Sequence, residues 1–254
     1  MSHCIWCKNK VVDFTTEHII PEALGCPSGF VLSNGAVCRS CNNDLAHLDR
    51  AVIDDFDILA FMATVPRKRG KSPIISSRGN MVGICNEAGN YIAINMESSP
   101  VRDVNGRILG GFGKSRRNIR AKFNRFGSVG RISFDTTLGD SPKFVRGIVK
   151  IAFSSLAYFL GSELALRRSF DPVRSFVMEG IGRRRVLLMQ TRDVNYRNQV
   201  WPPYKNEKEE YSVVFRLASI EFFVDLSPSM SLFPVMKQKA KEIYGESGWT
   251  FLPV

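Results

Sequence analysis

The chain has 254 residues, of which 44% are hydrophobic, and it carries a formal net charge of +11. This length and composition are those of a globular protein with a small module and one well-buried domain. No apolar run reaches the length of a membrane-spanning helix, and the polar N-terminus has no apolar core of a signal peptide. The sequence therefore argues against membrane and secreted proteins, and we expect a cytoplasmic location without a membrane partner.

Two Cys-x-x-Cys pairs open the chain, Cys4 with Cys7 and Cys38 with Cys41. Such pairs at this separation are typical of a four-thiolate structural zinc site. A small unit of two strands and a helix cannot bury enough apolar surface to be stable alone, so a metal would replace a core here. Taken alone, the pairs are more typical of a zinc ribbon or binding finger than of an enzyme.

Between the pairs lies a short apolar strand, residues 16–21, in which Glu17 and His18 are neighbours. Adjacent residues on a strand point to opposite faces, so the two side chains can serve separate tasks around one phosphate. Asn34 precedes the second pair, and Asn42 directly follows it. Each residue alone has a simpler role, such as a turn at Asn34 or a helix cap at Asn42. Their combined order favours a nuclease over a finger.

This order resembles the HNH endonuclease family, in its zinc-bound ββα-metal branch, over about the first quarter of the chain. The resemblance rests on ten residues taken in sequence: Cys4, Cys7, Glu17, His18, Pro21, Gly25, Asn34, Cys38, Cys41 and Asn42. It implies that His18 is the general base that takes a proton from the attacking water, and that Asn34 braces the loop that orients it. It also implies that Glu17 and Asn42 hold the catalytic divalent ion. Many family members have His where this chain has Asn42, and variants with Asn are also familiar.

Physical chemistry supports these roles, because phosphodiester hydrolysis needs a base poised near neutral pH and a cation on the departing oxygen. Of the three histidines, His3, His18 and His47, only His18 stands beside a carboxylate between the cysteine pairs. Oxygen ligands from Glu17 and Asn42 suit Mg²⁺ or Mn²⁺ better than Zn²⁺. The sequence therefore predicts a structural Zn²⁺ and a catalytic Mg²⁺ or Mn²⁺.

An apolar stripe at helical spacing predicts a helix from about Asn42 to about Val65. Asn43 and His47 lie four residues apart on it and therefore share a face. A pair at that spacing can bind metal, so it rivals Asn42 as the second ligand. We prefer Asn42 because it directly follows the last cysteine, as the family resemblance implies.

The basic segment 66–73 ends this helix and marks the predicted domain boundary. Residues 1–65 contain eight acidic and four basic residues, a net charge of −4, and the total of +11 leaves +15 for residues 66–254. An acidic module holds a polyanion poorly. We therefore predict a nuclease domain at residues 1–65 and a basic domain at 66–254 that binds DNA, selects it, or senses a ligand.

Residues 73–140 have the alternation of a meander of short strands, at about 81–85, 91–96 and 131–134. Within this region, residues 114–126 contain six cations and two aromatics. The simpler interpretation of that segment is a solvated helix face with its apolar side chains turned to the core. We predict phosphate contacts from the basic residues of the linker and of this segment. They are Arg67, Lys68, Arg69, Lys114, Arg116, Arg117, Arg120, Lys122 and Arg125.

Residues 144–166 form the most apolar predicted helix, which should be the centre of the second domain. Lys143, Arg146 and Lys150 recur on another side of it, where we expect a solvated stripe, with DNA contact as the alternative. A helix at 172–179, strands at 186–190, 211–217 and 220–226, and a closing helix at 235–244 follow. The predicted fold class is α+β, a small zinc-bound ββα-metal module followed by a larger mixed α+β domain.

The sequence thus predicts an HNH-type endonuclease that hydrolyses DNA, in restriction, phage defence or a mobile element. RNA is the alternative substrate, because such a module contacts mainly the backbone. Two other functions stay open: a catalytically inactive zinc-dependent DNA-binding or regulatory protein, and a scaffold whose basic face meets an acidic protein. A homodimer and an activating ligand for the second domain are also open.

Overall fold

The computed structural model describes residues 3–10, 12–13, 15–33, 35–62, 65, 74–77, 81–86, 89–94, 101–102, 108–110, 120–126, 129–135, 138–139, 141–190, 198–245 and 249–252. The chain forms two compact units, one of Met1–Phe56 with Gly139–Val254 and the other of Asp57–Leu138. The N-terminal segment thus shares a unit with the C-terminal part, whereas the basic segment 66–73 predicts a boundary after residue 65. The division of functions between residues 1–65 and 66–254 stays a prediction.

In the first unit, a short hairpin leads into a long helix. Strands β1 (Glu17–His18) and β2 (Val31–Leu32) pair antiparallel, with His18 opposite Val31. Helix α1 (Arg39–Met62) follows and begins before the last cysteine of the second pair. Its apolar residues recur at helical spacing and are buried, as the sequence pattern predicts: Leu45, Leu48, Val52 and Phe56.

Helix α2 (Pro142–Leu160) is the most buried helix of the first unit, as expected from its apolar sequence. Ser141 caps its N-terminus by accepting a hydrogen bond from a backbone N–H two residues on, at 3.3 Å. Gly147 lies where α2 packs closely against Leu48 and Val52 of α1. A Cβ at Gly147 would meet Val52 Cγ2 at 2.5 Å and the carbonyl oxygen of Leu48 at 2.9 Å. The two helices can therefore pack this closely only with a glycine at that position.

After two short helices, α3 (Ser162–Ala165) and α4 (Asp171–Glu179), the first unit continues as an antiparallel sheet of six strands. The strands are β10 (Val186–Gln190), β11 (Gln199–Val200), β12 (Tyr204–Lys205), β13 (Tyr211–Leu217), β14 (Ile220–Asp225) and β15 (Trp249–Leu252). Their order is β11-β13-β14-β10-β15, and β12 also pairs with β13.

Helices cover both faces of this sheet, as the alternation along β14 shows. Phe222 contacts the rings of Phe56 on α1 and Phe144 on α2. Its neighbour Phe223 belongs instead to the core cluster that includes residues of helix α5 (Phe233–Tyr244). Because adjacent strand residues point to opposite faces, the sheet lies between α5 on one side and α1 with α2 on the other.

The described residues of the second unit form antiparallel hairpins. The strands are β3 (Ile74–Ser77), β4 (Met81–Asn86), β5 (Gly89–Ile94), β6 (Val101–Arg102), β7 (Ile108–Gly110), β8 (Arg120–Phe126) and β9 (Val129–Asp135). β3, β4 and β5 pair in that order, β6 pairs with β7, and β8 pairs with β9. The helical interpretation of residues 114–126 is wrong over β8, whose residues each pair with one residue of β9. A strand partner so close along the chain overrides local helix propensity.

The fold is α+β, with the four-cysteine segment first and a larger mixed part after it, as predicted. Among the described residues, no helix combines the length and the apolar character needed to cross a membrane.

Candidate metal centre and active site

The four cysteines of the two pairs come together in the first unit. The Sγ atoms of Cys4, Cys7, Cys38 and Cys41 all lie within 4.8 Å of one another, and those of Cys7 and Cys38 are 3.9 Å apart. Sulfurs around a tetrahedral Zn²⁺ lie about 3.8 Å apart, since each Zn–S bond is about 2.3 Å long. The cluster therefore has the dimensions to hold a metal such as Zn²⁺.

Hydrogen bonds within this cluster favour the thiolate form of Cys4. The hydrogen bond with Cys41 lowers the pKa of Cys4 to about 5, and the same interaction raises the pKa of Cys41. The backbone N–H of Cys38 also donates to Cys4 Sγ at 3.4 Å. The thiolate is the metal-binding form of cysteine, and these hydrogen bonds favour it at Cys4 but not at Cys41.

The first cysteine pair is held against helices of the C-terminal part. Trp6, inside that pair, is buried and packs edge-on against Phe153 of α2, with ring centroids 5.1 Å apart. Arg174 of α4 donates from Nη1 to the backbone carbonyl of Ile5 at 3.4 Å. The cysteine-containing turn is thus part of the core of the first unit.

Strand β1 presents its two residues to opposite faces, as predicted. Glu17 is 2% exposed, whereas His18 is exposed. A general base must reach water and substrate, and the position of His18 on the surface allows this. Glu17 points into the protein instead.

The Glu17 carboxylate contacts α2 through one of its two oxygens. Its Oε1 lies 3.0 Å from Nζ of Lys150 and accepts a hydrogen bond from Ser154 Oγ at 3.2 Å. Lys150 also donates to Oδ1 and Oδ2 of Asp49 on α1, at 2.8 Å and 2.9 Å. Glu17 Oε2 is buried and has no hydrogen-bond partner among the described residues. We refer to Glu17, Asp49, Lys150 and Ser154 as the Glu17 cluster.

The Glu17 cluster sets two carboxylates against one ammonium group. Burial alone would lower the pKa of Lys150, but the carboxylates of Glu17 and Asp49 outweigh it and raise that pKa to about 12. Burial raises the pKa of Asp49, against the opposing effect of Lys150. With its three charged groups ionised, the cluster carries a formal charge of −1, which favours a further cation nearby.

Asn42 is half-buried in the first turn of α1. Its Nδ2 donates to Thr15 Oγ1 at 3.2 Å, which leaves the amide oxygen without a protein partner in the described part of the chain. Asn42 and Asp49 are seven residues apart and therefore lie on the same side of α1. Amide and carboxylate oxygens are the ligands that Mg²⁺ and Mn²⁺ prefer, so the chemistry of Asn42 and Glu17 suits such an ion, and their sharing of one ion stays a prediction.

The rival second ligands, Asn43 and His47, are both exposed. Nδ1 of His47 lies 2.7 Å from the backbone carbonyl oxygen of Asp44, so one ring nitrogen is bound to its own helix. The choice of Asn42 over this pair stays a prediction. Asn34 lies outside the described residues, and its bracing role also stays a prediction.

The predicted phosphate contacts fall largely outside the described residues. Those outside are Arg67, Lys68, Arg69, Lys114, Arg116 and Arg117. The other three, Arg120, Lys122 and Arg125, lie on β8. Their role in binding DNA stays a prediction.

The expected solvated stripe on α2 is wrong for two of its three residues. Lys143 is exposed, but Lys150 is fully buried. Arg146 donates from Nη2 to the backbone carbonyls of Val177 at 2.6 Å and Met178 at 2.8 Å. Both side chains therefore connect parts of the first unit instead of facing solvent.

Asp49 and Ser154 were not predicted from the sequence, although one feature of the sequence indicated a buried ion pair. Lys150 stands between Val149 and Ile151 in an apolar stretch of helix. A charge in such a stretch needs a buried partner of opposite charge, because an unpaired buried ammonium is strongly unfavourable. That signal predicts a partner, although it does not identify Glu17 or Asp49.

Comparison with known proteins finds a match in the N-terminal segment. No curated protein and no solved structure matches the chain. Residues 4–57 match the model of the HNH endonuclease family, which confirms the resemblance predicted for the N-terminal quarter.

Proposed function

We propose that this protein is a metal-dependent HNH endonuclease that hydrolyses DNA phosphodiester bonds. One observation carries the proposal: β1 places His18 on the surface and Glu17 in the interior, and one oxygen of the Glu17 carboxylate has no hydrogen-bond partner among the residues that the structure describes. This strand lies in a segment that matches the HNH endonuclease family. A surface imidazole beside a hard-oxygen site is the combination that phosphodiester hydrolysis needs.

In the proposed reaction, His18 takes a proton from the water that attacks the scissile phosphate. Glu17 and Asn42 would hold Mg²⁺ or Mn²⁺, which stabilises the negative charge on the departing oxygen when bound. Asn34 would brace the loop that orients His18. The four cysteines would hold a structural Zn²⁺ that keeps the segment folded.

Affinity for DNA is proposed to come from residues 66–254. They carry +15, whereas residues 1–65 carry −4, as counted from a chain total of +11. Contacts with phosphates displace counterions, so binding should weaken steeply with added salt. We propose a cytoplasmic role in restriction or phage defence, because the basic residues outside the acidic N-terminal segment can direct the nuclease to foreign DNA.

The first test is cleavage of supercoiled plasmid by the full chain with Mg²⁺ and then Mn²⁺. Wild type is compared with His18→Ala at equal zinc content. The control is His3→Ala, which removes another exposed histidine of the same segment. We expect metal-dependent nicking or linearisation by wild type and His3→Ala, and at least a hundredfold slower cleavage by His18→Ala because its base is absent.

Salt-sensitive DNA binding without cleavage by any of the three proteins would contradict the proposal and favour an inactive DNA-binding protein. Weak binding that hardly responds to salt would favour a scaffold with an acidic protein partner. A single-stranded RNA substrate assayed in parallel distinguishes a ribonuclease from a deoxyribonuclease.

A further inference from the structure

Helix α2 supplies two donors to one oxygen of the carboxylate that the proposed function assigns to the catalytic ion. Lys150 and Ser154 are four residues apart on α2, so their side chains lie on the same face. Nζ of Lys150 is 3.0 Å from Glu17 Oε1, and Ser154 Oγ donates to the same atom at 3.2 Å. Oε2, the other oxygen of the Glu17 carboxylate, has no hydrogen-bond partner among the described residues.

The ammonium of Lys150 lies between the two carboxylates of the Glu17 cluster. It has three N–H donors, and three carboxylate oxygens lie around it, at 3.0 Å in Glu17 and at 2.8 Å and 2.9 Å in Asp49. Lys150 is fully buried, so water does not compete for these bonds. The orientation of the Glu17 carboxylate is therefore fixed from one side.

We propose that Lys150 is a positioning residue of the nuclease site, which holds Glu17 so that Oε2 is presented to the catalytic divalent ion. The inference rests on the proposed function, because it deepens the role of Glu17 there. Ligands of metal ions are commonly oriented by such outer contacts, and loss of an outer contact typically weakens metal binding about 10- to 100-fold. Ser154 assists by its bond to the same oxygen.

Two other roles for Lys150 predict different results. If Lys150 only fastens β1 to α2, its loss lowers stability and leaves the metal affinity of the folded protein unchanged. If its ammonium stands in the place of the divalent ion, its removal strengthens metal binding. Simple removal of a nearby positive charge also predicts stronger binding of a cation. Weaker binding therefore distinguishes positioning from both of these roles.

The experiment measures the Mn²⁺ affinity of the zinc-loaded full chain by electron paramagnetic resonance of free Mn²⁺, without DNA. The mild variant is Ser154→Ala, and its matched control is Ser155→Ala. Both serines are buried on α2, but Ser155 Oγ donates to the backbone carbonyl of Ile151 at 2.7 Å and not to Glu17. We expect Ser154→Ala to weaken Mn²⁺ binding about two- to tenfold, as the loss of one hydrogen bond implies, and Ser155→Ala to leave it unchanged.

The stronger variant is Lys150→Met, which keeps much of the side-chain volume and removes the charge. We expect about tenfold weaker Mn²⁺ binding than in wild type, measured at a temperature where circular dichroism shows both proteins folded. If Lys150→Met does not fold, the comparison of Ser154→Ala with Ser155→Ala decides the question. Unchanged or stronger Mn²⁺ binding in a folded Lys150→Met overturns the proposal, as does unchanged or stronger binding in Ser154→Ala.

Cleavage assays on the same proteins separate this inference from the proposed function. Saturable Mn²⁺ binding that weakens in Ser154→Ala, without cleavage by wild type, supports the role of Lys150 and contradicts the nuclease activity. Cleavage by wild type with equal Mn²⁺ affinity in all variants supports the nuclease and overturns the positioning role. Absence of Mn²⁺ binding in wild type overturns the inference, because Glu17 would then hold no ion.

Discussion

The four-cysteine cluster and the Glu17 cluster both involve the N-terminal segment, yet they are completed in different ways. All four thiols come from the segment itself, between Cys4 and Cys41. In the Glu17 cluster, Lys150 lies 101 residues from Asp49, and Ser154 lies 137 residues from Glu17. The four thiols are therefore all supplied by the segment itself, whereas the contacts of Glu17 come from distant parts of the first unit.

This difference predicts a one-way dependence between the two clusters. Strand β1 follows the first cysteine pair along the chain, so loss of the metal from the cysteines should release Glu17 from α2. Loss of the contacts that Lys150 and Ser154 make with Glu17 should leave the cysteines and their metal in place.

The largest effect is expected from Cys38→Ser, which removes one of the four thiols. Structural Zn²⁺ contributes about 10–16 kcal/mol of apparent binding free energy in isolated zinc fingers, so we expect the N-terminal segment to lose its ordered structure. Zinc content by atomic absorption and protection of the segment from limited proteolysis measure this loss. Mn²⁺ binding should disappear with it.

Cys26→Ser is the matched control for this variant. Cys26 is a half-buried cysteine outside the cluster, and its thiol donates to the carbonyl of Phe30 at 3.3 Å. We expect one Zn²⁺ per chain and normal protease resistance. If Cys38→Ser retained Mn²⁺ binding after losing zinc, the two clusters would be independent and the proposed asymmetry would be wrong.

A smaller effect is expected from Gly147→Ala at the crossing of α1 and α2. The new methyl group would meet Val52 Cγ2 at 2.5 Å and the carbonyl oxygen of Leu48 at 2.9 Å, so backbone must shift. Overpacking of this kind lowers the free energy of unfolding by about 1–3 kcal/mol, which chemical denaturation measures. Because α1 carries Asp49 and α2 carries Lys150, we also expect weaker Mn²⁺ binding. Zinc content should stay at the wild-type value, and a parallel loss of zinc would contradict the asymmetry.

The difference between local and long-range contacts explains which features could be predicted from the sequence. The cysteine spacing, the alternation of Glu17 and His18 and the stripe of α1 are local patterns, and the structure confirms each of them. The apolar sequence of α2 likewise predicted a buried helix. These features depend on residues close together in the chain, where spacing alone determines which side chains share a face.

The environment of Glu17 could not be predicted because its partners are distant in the chain. Nothing in local spacing connects Glu17 with Lys150 or Ser154, and Lys150 was expected on a solvated stripe. The strand at Arg120–Phe126 was missed for a related reason, since its cations and aromatics suit a helix as well as a strand. Its pairing with Val129–Asp135 is what makes this segment a strand. Tertiary pairing therefore accounts for both errors.

The smallest effect is expected from Thr15→Val, which tests the local partner of Asn42. Asn42 Nδ2 donates to Thr15 Oγ1 at 3.2 Å, across 27 residues of the same segment. A neutral hydrogen bond at a half-buried site contributes about 0.5 kcal/mol at the low end of the usual range, so Mn²⁺ affinity should fall about twofold. Thr16→Val is the matched control, since Thr16 is exposed, and we expect no change there. If Mn²⁺ affinity fell as much in Thr15→Val as in Lys150→Met, the hydrogen bond between Asn42 and Thr15 would orient the proposed metal site as strongly as α2 does.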